Sequence, residues 1–129
     1  MRLVDTNVFV YARGNHALTP SSLAVLKTSA DHPEWVVPVV VLLELTHYYR
    51  DNGAYAADIL RAFSTIDTIA DDLQWATEHC STHRAFGDHM ILAAAHRVGA
   101  DGVISHDRFF RDQTYFPNIA GIDPAIAPE

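Results

Sequence analysis

At 129 residues, 49% of them hydrophobic and 19% charged, the chain can bury a core without staples and is too short for two ordinary domains, so disorder is excluded and one domain over residues 1–129 is expected. The formal net charge of −7 with neutral histidines argues against a surface that holds nucleic acid by basic residues alone, although carboxylates that bind divalent cations count as negative only until they are loaded. The lone Cys80 excludes an internal disulfide, no apolar run is long enough to span a bilayer, and no basic-then-apolar leader opens the chain, so a cytoplasmic location without membrane contact is expected.

Arg2 to Asp5 reads as a short strand, and Thr6 to Arg13 as a helix stopped by Arg13-Gly14-Asn15. A second helix starts in TPSSLAVLKTSA, with Thr19 as expected N-cap and Pro20 at the first helical position. Trp35 to Val37 is a strand, followed by a helix that begins near Pro38 and stops at Gly53. AYAADILRAFSTI is expected to be helical throughout, with a short strand at DTIA, residues 67–70. DDLQWATEHCSTH carries acids in its first turn and histidines in its last, which suits a helix dipole. GDHMILAAAHRVG is a helix closed by Gly99, Val103 to Ser105 is a strand leading to a short helix, and NIAGI is a last strand. Strands alternating with helices indicate an α/β fold with a mainly parallel sheet, whose site lies beyond the carboxyl ends of the strands.

Four acids are placed to meet there. Asp5 closes the first strand, Asp107 lies two residues after Val103–Ser105, Asp88 opens a helix, and Glu44 sits in a helix among leucines. Each also has a plainer reading. Asp5, Asp88 and Asp107 are all suitable helix caps. Glu44 is the hardest to explain that way, because Val41, Leu42, Leu43 and Leu45 leave it little expected water and no lysine or arginine lies within one helical turn. Burying an unpaired carboxylate there costs on the order of several kcal/mol. Converging carboxylates repel one another unless a hard divalent ion with oxygen ligands, such as Mg²⁺ or Mn²⁺, joins them.

The segments VDTNVFVYA, LLEL, GDHMILAAA and VISHDRFF, in this order and spacing, give the chain a resemblance to the PIN-domain ribonucleases, especially the VapC-type toxins of toxin–antitoxin pairs. The resemblance covers roughly residues 1 to 122. It implies a three-layer α/β/α sandwich with a mainly parallel central sheet. It also implies a catalytic, metal-binding site made of Asp5, Glu44, Asp88 and Asp107. Thr6 and Ser105 correspond to hydroxyl residues that position a ligand or the attacking water, while Asn7 stabilises the turn. The implied activity is Mg²⁺- or Mn²⁺-dependent hydrolysis of RNA leaving a 5′-phosphate. The implied partners are the RNA substrate, a cognate antitoxin and a second copy of the chain as a homodimer.

Other residues carry open readings. Glu44 and His47 form one Glu-x-x-His, whereas dimetal bundles need two copies. His79 and His83 are spaced to share Zn²⁺ or simply to end a helix. His89 and His106 neighbour site aspartates, and adjacency alone assigns them no role. Arg13, Arg84, Arg108 and Arg111 are phosphate clamps or surface arginines in equal measure. Tyr48 and Tyr49 are base-stacking, core or dimer residues. The alternative to a ribonuclease is a PIN-fold module that binds RNA or protein without catalysis, a class in which loss of one acid is expected. A haloacid-dehalogenase-type enzyme would place Asp-x-Asp where this chain has Asp5-Thr6-Asn7, and a receiver domain would need a late lysine, whereas Lys27 is the only lysine.

Overall fold

The structure is a computed structural model that describes residues 1–82 and 85–129. Five short strands form one sheet: β1 (Arg2–Val4), β2 (Trp35–Pro38), β3 (Ser64–Ile66), β4 (Gly102–Ile104) and β5 (Ala120–Ile122). The order is β3-β2-β1-β4-β5 and every pairing is parallel. Leu3, Val4, Val37, Val103 and Ile104 are all fully buried. Continuous apolar strands of this kind arise because helices cover both faces of the sheet.

The connections supply those helices. They are α1 (Thr6–Arg13), α2 (Thr19–Thr28), α3 (Val39–Tyr49), α4 (Ala54–Ala62), α5 (Ala70–His79), α6 (Phe86–Arg97) and α7 (Phe109–Asp112). Right-handed crossovers send α1 to α4 to one face and α5 to α7 to the other, which gives the expected α/β/α layering. The packing agrees: α1 lies on α2 and α3, while α6 lies on α5 and α7. Chain order reverses direction between β1 and β4, and at such a switch point the loops diverge and leave a crevice above the strand ends.

Several boundaries differ from the sequence expectations. Thr19 is the first residue of α2, not its cap, and its hydroxyl instead donates to the Tyr11 carbonyl at 2.7 Å. The helix after Pro38 stops at Tyr49, where Arg50 takes a left-handed conformation (φ 51°), and Gly53 (φ 78°) caps α4 instead. The expected long helix through Ile66 ends at Ala62, and Ser64–Ile66 leaves it to pair with β2. The strand therefore precedes DTIA instead of lying in it. Two β-branched residues, Thr65 and Ile66, favour that outcome once a free strand edge is available. Gly99 does follow α6 with φ 71°, as a helix-ending glycine should.

Candidate active site

Asp5 follows β1 directly and caps α1, its Oδ1 accepting the Thr6 N–H at 2.7 Å. The plain reading of Asp5 as a cap is thus correct, but it uses only one carboxylate oxygen. The other, Oδ2, accepts the Ser105 hydroxyl at 2.7 Å. Ser105 is 1% exposed and follows β4, the strand next to β1. Its Oγ in turn accepts from Asn7 Nδ2 at 3.1 Å and from the Asp107 N–H at 2.9 Å. With two N–H donors on its oxygen, the hydroxyl proton has one place to go, which is Asp5. Asn7 Oδ1 accepts the His106 N–H at 3.2 Å. Asn7 therefore ties α1 to the loop after β4, instead of stabilising its own turn as expected.

Glu44 reaches the same crevice from α3. The Thr6 hydroxyl donates to its Oε1 at 2.9 Å, and no salt bridge involves it among the described residues. The expected enclosure among leucines is not found. Glu44 is exposed, as is its neighbour Leu43, while Val40, Val41, Leu42 and Leu45 turn into the core. Consecutive helical residues point about 100° apart, so an apolar run need not bury every member. The carboxylate lies instead over the first turn of α6, against Gly87.

Asp88 is the third residue of α6 and does not cap it, because Ala85 occupies the cap position without a side-chain bond. Asp107 is exposed, and its Oδ1 accepts the Phe109 N–H at 2.9 Å at the start of α7, but the cap position that the plain reading gave it is held by Arg108. Asp5, Thr6, Asn7, Val10, Tyr11, Glu44, Asp88 and Asp107 line one cavity of ≈ 290 Å³. The four acids expected from sequence thus face a single crevice at the β1/β4 switch point.

They also disturb one another. Burial, then the charges of Asp5 and Asp107, push the Asp88 carboxyl up to about 9. Burial pushes Asp5 up to about 7 against the hydrogen bonds from Ser105 and Thr6, with Glu44 and Asp107 adding repulsion. Glu44 is raised by loss of hydration and held back by Thr6. Such shifts mark charge concentrated without a counterion. Among the described residues no three acidic, histidine or cysteine side chains close on one point to enclose an ion. The acids ring a space instead. That space is open to solvent, which leaves an ion there free to retain part of its hydration shell.

Three of the four candidate arginines are paired with acids outside the crevice. Arg13 pairs with Asp51 and lies over the rings of Tyr49 and Tyr55, Arg108 pairs with Asp112, and Arg111 pairs with Asp123. Arg84 and His83 lie outside the described residues, so neither the expected clamp at Arg84 nor the His79–His83 pair is described. His79 stacks on Trp75 and bonds the Trp75 carbonyl. His89 is buried between Trp75, Phe109 and Tyr115 and bonds the Ala85 carbonyl, which makes it a core residue. His106 Nε2 sits 2.7 Å from the hydroxyl of fully buried Ser22. Tyr49 packs inward against Tyr55, and Tyr48 is 65% exposed.

Gly87, Tyr11 and Ser22 were not singled out from sequence. Gly87 alone carried a signal, as a glycine in the first turn of an otherwise strong helix, where it costs about 1 kcal/mol relative to alanine.

The model of the PIN-domain family matches residues 2–114. Among solved structures, the chain is similar to VapC20 of Mycobacterium tuberculosis, a Sarcin-Ricin loop cleaving toxin, at 18% identity over 84% of this chain and 91% of that one, with a TM-score of 0.65. A toxin–antitoxin complex from Klebsiella pneumoniae aligns at 16% identity over 100% and 98% of the two chains, TM-score 0.65. VapBC2 from Rickettsia felis, bound to a DNA fragment from its promoter, aligns at 19% identity over 95% and 97%, TM-score 0.65. The comparison with curated proteins gives no match.

Proposed function

We propose a function from a plain premise: this chain belongs to the PIN-domain family, whose model spans residues 2–114. The function is metal-dependent hydrolysis of RNA phosphodiester bonds. The single observation that carries it is the meeting of Asp5, Glu44, Asp88 and Asp107 in one crevice at the sheet's switch point, with no ion pair to any of them among the described residues. An all-oxygen, multiply acidic donor set suits Mg²⁺ or Mn²⁺ and does not suit softer metals.

Asp5, Glu44, Asp88 and Asp107 are the residues that would hold the ion, directly or through water. When bound, the ion supplies an activated water and charge neutralisation at the scissile phosphate. The protein's own residues do the rest. Ser105 and the Thr6 N–H fix both oxygens of Asp5, so that carboxylate enters the reaction with its orientation settled. Thr6 holds Glu44 across the crevice. Without positive charge nearby Asp88 holds its proton beside Asp5 and Asp107, and a bound cation would let it ionise. No histidine base is needed, and His89 and His106 are both engaged elsewhere.

The biological setting that fits is the toxin half of a toxin–antitoxin pair. The structural neighbours bear names of RNA-cleaving and antitoxin-bound toxins. A protein antitoxin and self-association as a homodimer are the partners of this reading. Leu43 and Tyr48, 64% and 65% exposed on α3, offer apolar surface for such contacts. No helix of the described residues is long and apolar enough to cross a membrane.

The test is RNA cleavage with Mg²⁺ or Mn²⁺, with EDTA, and with Asp5→Asn. Cleavage that needs the ion and Asp5 supports the reading. Cleavage that survives EDTA removes the metal mechanism. RNA binding without cleavage under any ion favours the non-catalytic module.

A further inference from the structure

An acidic crevice with its arginines paired elsewhere leaves a question about substrate. Among the described residues Arg13, Arg108 and Arg111 are engaged with other acids, so aromatic side chains at the rim are a second means of holding an RNA strand. Tyr11 is the aromatic residue lining the cavity, and it does not stand alone. His16, exposed after the α1 terminus, lies with its ring 4.8 Å from that of Tyr11 at an interplanar angle of 43°. The Tyr11 ring also meets the His106 ring edge-on, at 5.2 Å and 86°.

Both neighbours are fixed. His106 Nε2 is anchored to the hydroxyl of Ser22, which is fully buried in α2. His16 is held by a small network. Its Nδ1 accepts the Leu18 N–H at 3.1 Å, its N–H donates to Thr19 Oγ1 at 3.0 Å, and the Thr19 hydroxyl donates to the Tyr11 carbonyl at 2.7 Å. Because Nδ1 accepts, the neutral ring carries its proton on Nε2. The loop between α1 and α2 therefore presents an imidazole beside a phenol in a preset arrangement, next to the carboxylates.

We propose that Tyr11 and His16 form a nucleobase shelf on the rim of the acidic crevice, which receives an unpaired base of the nucleotide next to the scissile phosphate. The shelf rests on the ribonuclease reading and adds to it the two residues that would hold a base beside the cleaved bond. Aromatic faces accept any base, because every base has a π-face. Such a base is available only in single strands, loops and bulges. Two donors, the Tyr11 O–H and the His16 Nε2–H, make no hydrogen bond to protein among the described residues.

The experiment is a cycle between protein and substrate. Cleavage of a single-stranded RNA is compared for the wild-type chain, Tyr11→Phe, Tyr11→Leu and His16→Ala. Each is also measured on the same RNA with an abasic nucleotide beside the cleaved bond. Removing the base should raise KM about tenfold for the wild type, Tyr11→Leu should do the same on intact RNA, and the two losses together should not add. Tyr11→Phe should raise KM less than Tyr11→Leu, because it keeps the ring and loses only the O–H, and kcat should change little throughout. A purely structural role for Tyr11 would not respond to the abasic site. Unchanged KM in Tyr11→Leu and His16→Ala, with a folded protein by circular dichroism, overturns the shelf and leaves the nuclease intact. Full additivity of the two losses overturns it as well. Failure of the wild type to cleave any RNA with Mg²⁺ or Mn²⁺ overturns the ribonuclease reading and the shelf with it.

Discussion

The carboxylate of Glu44 rests against Gly87 so closely that a Cβ at position 87 would lie 3.0 Å from Oε2, 3.2 Å from Cδ and 3.2 Å from Oε1. Two helices separated by three elements in chain order, α4, β3 and α5, meet at this point, and only the absence of a side chain lets the acid lie over the first turn of α6. The backbone at Gly87 is ordinary helix, so alanine is favoured there by about 1 kcal/mol on propensity alone. Gly87→Ala should therefore leave Tm equal or slightly higher, while pushing Glu44 aside and weakening Mn²⁺ binding several-fold by titration calorimetry. Shortening the acid in Gly87→Ala/Glu44→Asp should restore part of the affinity. Loss of Tm together with unchanged ion affinity would contradict this account of Gly87.

Asp88 carries its proton well above the usual carboxylate range because it is partly buried beside two other acids. The sign follows from linkage. A carboxyl whose folded pKa is raised binds more protons when folded than when unfolded, so it disfavours the fold as pH rises from about 4 through about 9. Without divalent ions, the chain should lose stability across that window from this group. Asp88→Asn should recover roughly 1–2 kcal/mol at pH 8, discounted for the solvent that reaches the crevice. Thermal melts in EDTA across pH check this. A saturating ion should erase the difference or reverse it.

Ser105 donates to Asp5 and accepts from Asn7 and Asp107 in a site that is 1% exposed. Ser105→Ala leaves two N–H donors and one carboxylate oxygen without partners. A loss of about 1–3 kcal/mol is expected, read as a lower midpoint in urea. The same variant should lower kcat more than it raises KM, because Asp5 loses its fixed orientation while the crevice keeps its shape.

Away from the crevice, Arg97 forks onto Asp72 at 3.0 and 2.9 Å, and Asp72 is 2% exposed. Arg97→Ala leaves a buried carboxylate facing only the Ile69 N–H, at 3.1 Å. Destabilisation of roughly 3–5 kcal/mol is expected by chemical denaturation, with RNA cleavage per folded molecule unchanged. Asp72→Asn/Arg97→Met should recover much of the loss, since the pair then carries no charge to desolvate.

Much of this was legible in the chain. The apolar runs at Leu3-Val4 and Val103-Ile104, the turn residues after them and the helical spacing of MILAAA determined an α/β alternation, and with it the carboxyl-end placement of Asp5 and Asp107. These are local properties: caps, periods and breakers act within a few residues, so sequence alone expresses them. The β3 boundary was lost because Ser64–Ile66 continues a helical run and becomes a strand only when the edge of β2 is there to pair with.

Tertiary structure alone decided the rest. Glu44 proved exposed, not buried, because the orientation of α3 on the sheet is set by packing and not by composition. The bond from Ser105 to Asp5 joins residues 100 positions apart, and the contact of Asn7 with Ser105 spans 98. Which carboxylates share a crevice, and which arginines are already spent on other acids, depends on distances between segments that no local pattern encodes. Residue types and short-range order specify what each piece of chain will become. Electrostatics and recognition fall off with separation in space, so they wait on the fold.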